Sequence, residues 1–156
     1  MAAMSDYLEN KLIDFLFRAQ ALGITGATAA AGTGPSALYV GLYTANPTDT
    51  AGGTEVSGGS YARVLVTSAL GAWDNTQAAS STAVSSGTGG TTRNQSAITF
   101  PAPTANWGTV TGMALFDAAS GGNMLIWSAL TVSKTVNNGD AAPSFAANAL
   151  TFQIDN

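Results

Sequence analysis

The chain of 156 residues is long enough to form one domain with a hydrophobic core, and its 46% hydrophobic content excludes a disordered segment. Only 9% of the residues are charged, so a partner protein could cover the surface at a small desolvation cost. Cysteine and histidine are both absent, which excludes disulfides, Ser–His and Cys–His catalysis and most transition-metal sites. We therefore expect neither an enzyme nor a cofactor-binding protein.

The net charge of −4 includes five basic residues that are scattered along the chain. They are Lys11, Arg18, Arg63, Arg93 and Lys134. Without a basic patch to neutralise phosphates, nucleic-acid binding is not expected. No uncharged apolar run approaches ~18 residues, and the first residues lack the pattern of a signal peptide, so no membrane association is expected either.

Residues 5–22 are predicted to form a helix, within an N-terminal segment 1–22. Ser5 suits the N-cap position, and Gly23 suits the C-terminal cap. Apolar side chains recur at helical spacing along one stripe. This stripe consists of Leu8, Leu12, Phe15, Leu16, Ala19 and Leu22.

The predicted helix is apolar on more than one side. Asp14 and Arg18 are expected to form an ion pair on its outer face, while Ile13 and Phe17 fall outside the main stripe. The helix therefore either lies only on its own domain or also contacts another subunit. For the second case the candidate interface residues are Leu12, Phe15 and Phe17, and deletion of 1–22 would leave a soluble β body without assembly contacts.

Residues 23–36 read as a linker of small residues, and 37–156 as a β domain. The predicted strands cover 37–44, 61–67, 96–102, 108–118, 123–132 and 144–154. ASGGN at 119–123 indicates a hairpin, and NNGD at 137–140 indicates a second turn. Short strands joined by glycine-rich turns, without intervening helices, favour a sandwich or barrel of antiparallel strands.

Residues 68–95 are rich in Ser, Thr, Gly and Ala, with Trp73 and Val84 as the main large apolar residues. Such a segment buries little surface by itself. It is either an extended arm over a neighbouring subunit, with Trp73 as a candidate interface residue, or a surface loop.

The glycine-rich stretch GGTEVSGGSYARV at 52–64 raises the question of a ligand loop. Its Glu55, together with Asp49, could hold calcium or cleave a glycoside, but the calcium-loop spacing and a sugar groove are missing. A phosphate loop would need a following helix and a lysine. We therefore expect no metal and no catalytic residue here, and interpret Glu55 and Arg63 as a structural loop brace.

Three aromatic residues raise a different functional alternative, a module that binds or hydrolyses carbohydrate. Tyr39, Trp107 and Trp127, if exposed near Asp49, would be typical of a carbohydrate-binding or hydrolytic module. Both tryptophans lie beside or within apolar strands, so packing in the core or at its rim is the preferred interpretation.

Several motifs follow one another in a distinctive order. They are LYVGLYTANPTD, GGTEVSGGSYARV, FPAPTANWGTVTGMALFDAASGGNMLIWSAL, KTVNNGD and LTFQID. Over about residues 5–156 the chain resembles a family of small tailed-bacteriophage structural proteins, tail fibre-like or minor tail proteins with similar modules that decorate capsids. The resemblance implies a mainly β protein, a jelly-roll-like antiparallel β-sandwich preceded by one α-helix, without enzymatic activity. It also implies symmetric self-association, whereas 68–95 departs from the family pattern.

We favour a decoration or cement protein that binds and stabilises the capsid exterior. Its partners would be the major capsid protein or other virion proteins, and its form a homotrimer. The first alternative is a tail fibre or minor tail protein that contacts the host surface, although the chain shows neither long repeats nor a coiled-coil stalk. The second is the carbohydrate-binding module. We expect the protein in the virion, after assembly in the host cytoplasm.

Overall fold

The computed structural model describes residues 4–24, 32–49, 52–78 and 81–154. These residues are mainly β, with one helix at the N-terminus and antiparallel sheets, which confirms the predicted fold class. The elements are α1 Asp6–Arg18, β1 Ala37–Ala45, β2 Thr54–Glu55, β3 Val64–Thr67, β4 Thr91–Arg93, β5 Ile98–Thr99, β6 Gly108–Phe116, β7 Met124–Val136, β8 Ser144–Phe145 and β9 Thr151–Gln153.

Internal contacts divide the chain into two compact units. Unit 1 consists of Met1–Ser36, Thr67–Ala97 and Phe145–Asn156, and unit 2 of Ala37–Val66 and Ile98–Ser144. Unit 2 is thus inserted, in sequence, between segments of unit 1.

A five-stranded sheet with β1 and β6 at its centre organises unit 2. The strand order is β2-β1-β6-β7, and β3 also pairs with β1. β1 runs antiparallel to β6, from Tyr39 opposite Phe116 to Tyr43 opposite Gly112. β6 and β7 form the predicted hairpin, since the Asp117 N–H donates to the Asn123 carbonyl at 3.2 Å.

The central strands of this sheet are apolar on both faces. Leu38, Val40 and Leu42 alternate along β1 and are at most 3% exposed, but Tyr43 on the opposite face is also buried. Burial of both faces explains why these strands contain few polar residues. The sheet is therefore the core of unit 2.

The helix of unit 1 is shorter than the sequence predicts. It ends at Arg18 because Ala19 adopts a left-handed conformation with φ 54°, and the Gln20 N–H donates to the Asp14 carbonyl at 3.0 Å. Gly23 is therefore not the cap, and the predicted helix over 5–22 is corrected to Asp6–Arg18.

The buried face of α1 also differs from the expected one. Ile13 and Phe17, which fall outside the apolar stripe, are fully buried, whereas Leu12 and Phe15 are only half-buried. Polar residues share the buried face, namely Glu9, Asn10, Asp14 and Arg18. The ion pair expected on the outer face therefore lies in the interior of unit 1.

Three aromatic rings form the centre of unit 1. The centroid of Phe17 lies 4.9 Å from that of Trp73 and 5.1 Å from that of Phe152, and the last two are 5.7 Å apart. The Trp73 indole N–H donates to the Thr67 carbonyl at 3.2 Å. Trp73 is fully buried, so the described part of 68–95 packs within unit 1 and is not an arm anchored on another subunit by this residue.

Candidate functional site

Arg63 and Glu55 form a two-pronged ion pair in unit 2. The Arg63 Nε and Nη2 groups donate to the two Glu55 carboxylate oxygens, each at 2.8 Å. β2 places Glu55 beside Tyr43 of β1, and Arg63 immediately precedes β3. The fork of a guanidinium matches a carboxylate, which makes this geometry stronger than a single contact.

The remaining contacts of Arg63 bind it to the β6–β7 turn. Its Nη1 donates to the carbonyls of Ala118 and Gly121 at 3.0 and 2.8 Å, and its guanidinium carbon lies 3.2 Å from the centroid of the Phe116 ring. Four N–H groups are thus directed at protein acceptors. The hydrogen bonds with Glu55 raise the pKa of Arg63, so the side chain stays charged.

Tyr61 completes this cluster. Its hydroxyl donates to Glu55 Oε1 at 2.9 Å and accepts the Leu42 N–H at 2.8 Å. Burial, more than any neighbouring charge, raises the pKa of Tyr61 above its ordinary value. The hydroxyl is therefore a neutral structural donor and not a proton-transfer group.

The cluster packs tightly against Gly41 of β1, so that a larger residue there would require neighbouring side chains to shift. A Cβ there would lie 3.0 Å from Glu55 Oε1 and 3.0 Å from the Phe116 ring. Three members of the cluster, Tyr61, Phe116 and Gly41, were not predicted from the sequence. Gly41, a glycine inside an apolar strand, is the one signal that indicated a close approach.

The carboxylates of loop 45–60 are held by protein groups. Asp49 Oδ1 accepts the Trp127 indole N–H at 3.2 Å, and Glu55 binds Arg63. In residues 4–24, 32–49, 52–78 and 81–154 no group of three or more acidic, histidine or cysteine residues could hold a metal ion.

The aromatic residues of the carbohydrate alternative do not form one exposed platform. Trp107 is 5% exposed, donates its indole N–H to the Gly59 carbonyl at 2.9 Å and packs edge-on against Tyr61. Tyr39 and Trp127 are half-buried against the cluster around Tyr43. The structure thus places Trp107 in the core and removes it from any sugar-binding surface.

A second polar cluster lies in unit 1, where Arg18 binds Asp14. Arg18 Nη1 donates to Asp14 Oδ1 at 2.7 Å, and its Nη2 donates to the carbonyls of Ser81 and Ala83 at 2.8 and 2.7 Å. Asp14 Oδ2 accepts the Ser85 N–H at 2.7 Å. The Arg18 side chain is fully buried, and this network fixes residues 81–85 to α1.

The candidate interface residues separate into two pairs. Phe17 and Trp73 are fully buried in the core of unit 1, which corrects their assignment to a surface that another subunit could contact. Leu12 and Phe15 remain half-buried. Exposed large apolar residues occur elsewhere, at Met4, Tyr7, Ile24, Leu65, Val84, Leu125 and Val132.

Unit 1 also contains an open polar cleft of about 490 Å³. It is lined by Asp74, Asn75, Thr76, Gln77, Ala78, Thr91, Arg93 and Thr151. Arg93 Nε donates to Asp74 Oδ2 at 2.8 Å, and Asn75 Oδ1 accepts the Ala78 N–H at 2.7 Å. Many polar groups that line the cleft thus already form hydrogen bonds with one another, as is usual for polar groups in folded proteins.

Comparison with protein families identifies the class of protein to which the chain belongs. Residues 3–153 match the family model described as "Podophage GP4 fiber I protein gp80". The chain therefore belongs to this family of tailed-phage fibre proteins, and it is a structural component of the virion. A search of curated proteins finds no match. Among the described residues, no helix is long and apolar enough to cross a membrane.

Proposed function

We propose that the protein is a non-catalytic subunit of a virion fibre. The family match over residues 3–153 carries this proposal, because the family's description names a fibre protein. One observation supports it: Arg63, Glu55 and Tyr61 direct their polar groups at one another. A fibre subunit needs rigid contacts rather than reactive groups.

The competing proposal is the decoration or cement protein on the capsid exterior, bound to the major capsid protein. The low content of charged residues, 9%, supports either location, since both require burial against other virion proteins. The two proposals differ in where copies lie on the particle.

Immunogold labelling of intact particles with an antibody against the purified chain distinguishes them. We expect gold at the fibres, and antibody preincubated with the purified chain should leave no label. Label spread over the head would replace the fibre proposal by the decoration proposal.

A further inference from the structure

The turn at 137–140 contains the only asparagine of the chain that is followed directly by glycine, Asn138. The Asp140 N–H donates to the Asn137 carbonyl at 3.1 Å, and Gly139 has φ +80°, so the backbone forms a tight turn with glycine at its third position. This turn was apparent in the sequence, but the proposed function makes no use of it.

The side chain of Asn138 is available for reaction. The residue is exposed, and its side-chain amide has no hydrogen-bond partner among the described residues. Most other asparagine side chains are occupied: Asn94, for example, is 1% exposed and holds three backbone groups. Gly139 is exposed too, and open space surrounds the position of a Cβ there. Because Gly139 has no Cβ, no side chain of its own shields its backbone nitrogen from the preceding side chain.

We propose that Asn138 is a site of spontaneous deamidation and isoaspartate formation. Hydroxide removes the proton of the Gly139 backbone nitrogen, which then attacks Cγ of Asn138. The side-chain nitrogen takes a proton from water, its bond to Cγ breaks, and it leaves as ammonia. The resulting five-membered succinimide is opened by water at either carbonyl. Attack at one carbonyl gives aspartate, whereas attack at the other gives isoaspartate, in which the main chain runs through the former side chain.

The turn restrains this reaction without preventing it. The Gly139 N–H donates to the Pro103 carbonyl at 3.0 Å, and the Asn138 N–H donates to Asn106 Oδ1 at 2.8 Å. The nitrogen becomes nucleophilic only when the turn opens locally, which exposed turns do more readily than core strands. We therefore expect the folded protein to react more slowly than a short peptide of the same sequence.

The product would differ from the original chain in two ways. It carries one more negative charge, and isoaspartate adds one backbone methylene between β7 and β8. The contacts of the turn with Pro103 and Asn106 could not survive this displacement. Because a subunit is not replaced once it is built into a particle, such changes would accumulate with particle age.

The test is incubation of the full chain in mildly alkaline buffer, followed by ion exchange and peptide mass spectrometry. Asn137 is the internal control, since it is exposed in the same turn but precedes a residue with a Cβ. We expect conversion at Asn138 at least about tenfold faster than at Asn137, because glycine alone lacks that shield. Asn138→Gln should abolish the acidic species, and Asn137→Gln should leave it unchanged.

Three results would overturn the proposal. Asn138 could stay unmodified while a peptide covering 134–142 converts fully, the acidic species could persist in Asn138→Gln, or Asn137 could convert equally fast. Hydrogen exchange of 103–106 in the purified acidic form is a further readout. Unchanged protection there would contradict the predicted loss of the turn contacts.

Discussion

One side chain, that of Asn94, holds three backbone groups of unit 1. Its Oδ1 accepts the Leu150 N–H at 2.8 Å, and its Nδ2 donates to the carbonyls of Ser96 and Ala146 at 2.8 and 2.9 Å. It is 1% exposed, so water cannot replace these bonds. The residue fixes the approach to β9, which no local sequence pattern indicates.

Asn94→Ala should lower the free energy of unfolding by about 3 kcal/mol, since each buried group left without a partner costs ~1–3 kcal/mol. Asn138→Ala is the matched control, because Asn138 is exposed and its side chain holds no described group; its effect should stay within about 0.5 kcal/mol. Urea unfolding measures both variants. Equal effects would show that the three bonds contribute nothing.

The ionisation of Asp117 is set by hydrogen bonds from another residue of the same turn, Asn123. The hydrogen bond from the Asn123 side chain, followed by that from the Asn123 backbone, lowers the pKa of Asp117 below its ordinary 3.8. The stabilisation is present above the unfolded pKa and is lost as the pH falls through the folded pKa. Asn123→Ala should raise the pKa of Asp117 toward its ordinary value, measured by NMR titration of the carboxyl carbon. An unchanged value would contradict the assigned cause.

At the scale of elements, α1 is held by polar contacts as well as by Ile13 and Phe17. Asp14→Ala would leave the buried Arg18 charge without its carboxylate, which should cost about 3–5 kcal/mol of unfolding free energy. Asp6→Ala is the control, since Asp6 is an exposed acid on the same helix and should change stability by about 0.5 kcal/mol or less. Urea unfolding and the hydrogen exchange of Ser85 are the measurements.

A double-mutant cycle with Arg18→Met tests whether the two charges act as a pair. The double variant should be less destabilised than the sum of the single changes, because it leaves no unpaired charge. Strict additivity would mean that Arg18 acts only through the carbonyls of Ser81 and Ala83.

The sequence predicts the existence of α1 and the main strands, but not the orientation of the helix. Periodicity correctly indicates a helix, because local propensity and spacing are enough for that. It selects the wrong buried face, since the groups that attract Arg18 lie more than sixty residues further along the chain. The Glu55–Arg63 contact spans eight residues and connects β2 with the residue before β3, so short-range charge reasoning could suggest it.

The short strand β4 illustrates a second limit. It has three residues and shows no strand-length apolar pattern, whereas its partner β9 lies within the predicted strand 144–154. Their pairing places Thr92 opposite Phe152, a contact that depends on the fold of the whole of unit 1.

At the scale of the whole molecule, the discontinuous unit 1 changes what deletion of 1–22 should do. The sequence suggested a soluble β body after deletion, but Phe17 packs directly on Trp73 and Phe152. We therefore expect the truncated chain to lose the ordered packing of unit 1. The backbone amides of β4 and β9 should lose their protection from hydrogen exchange. Retained protection of these amides would contradict this expectation.

Phe17→Ala gives the same test without truncation. Removal of this fully buried ring should cost about 3–5 kcal/mol, through lost burial and the cavity left behind. Tyr7→Ala is the control, because Tyr7 is an aromatic residue on the same helix that is 54% exposed. Thermal unfolding monitored by near-ultraviolet circular dichroism compares the two variants.

The position of Phe152 in unit 1 has a consequence for synthesis on the ribosome. α1 is translated before its partner ring at 152 and the strand β9, which emerge more than a hundred residues later. Unit 1 thus cannot close around Phe17 before Phe152 has been translated, whereas the strands of unit 2 are all complete earlier. In a nascent chain that stalls before Phe152, Phe17 and Trp73 would remain accessible to proteases and chaperones. Only chains translated through β9 could therefore form the closed unit 1.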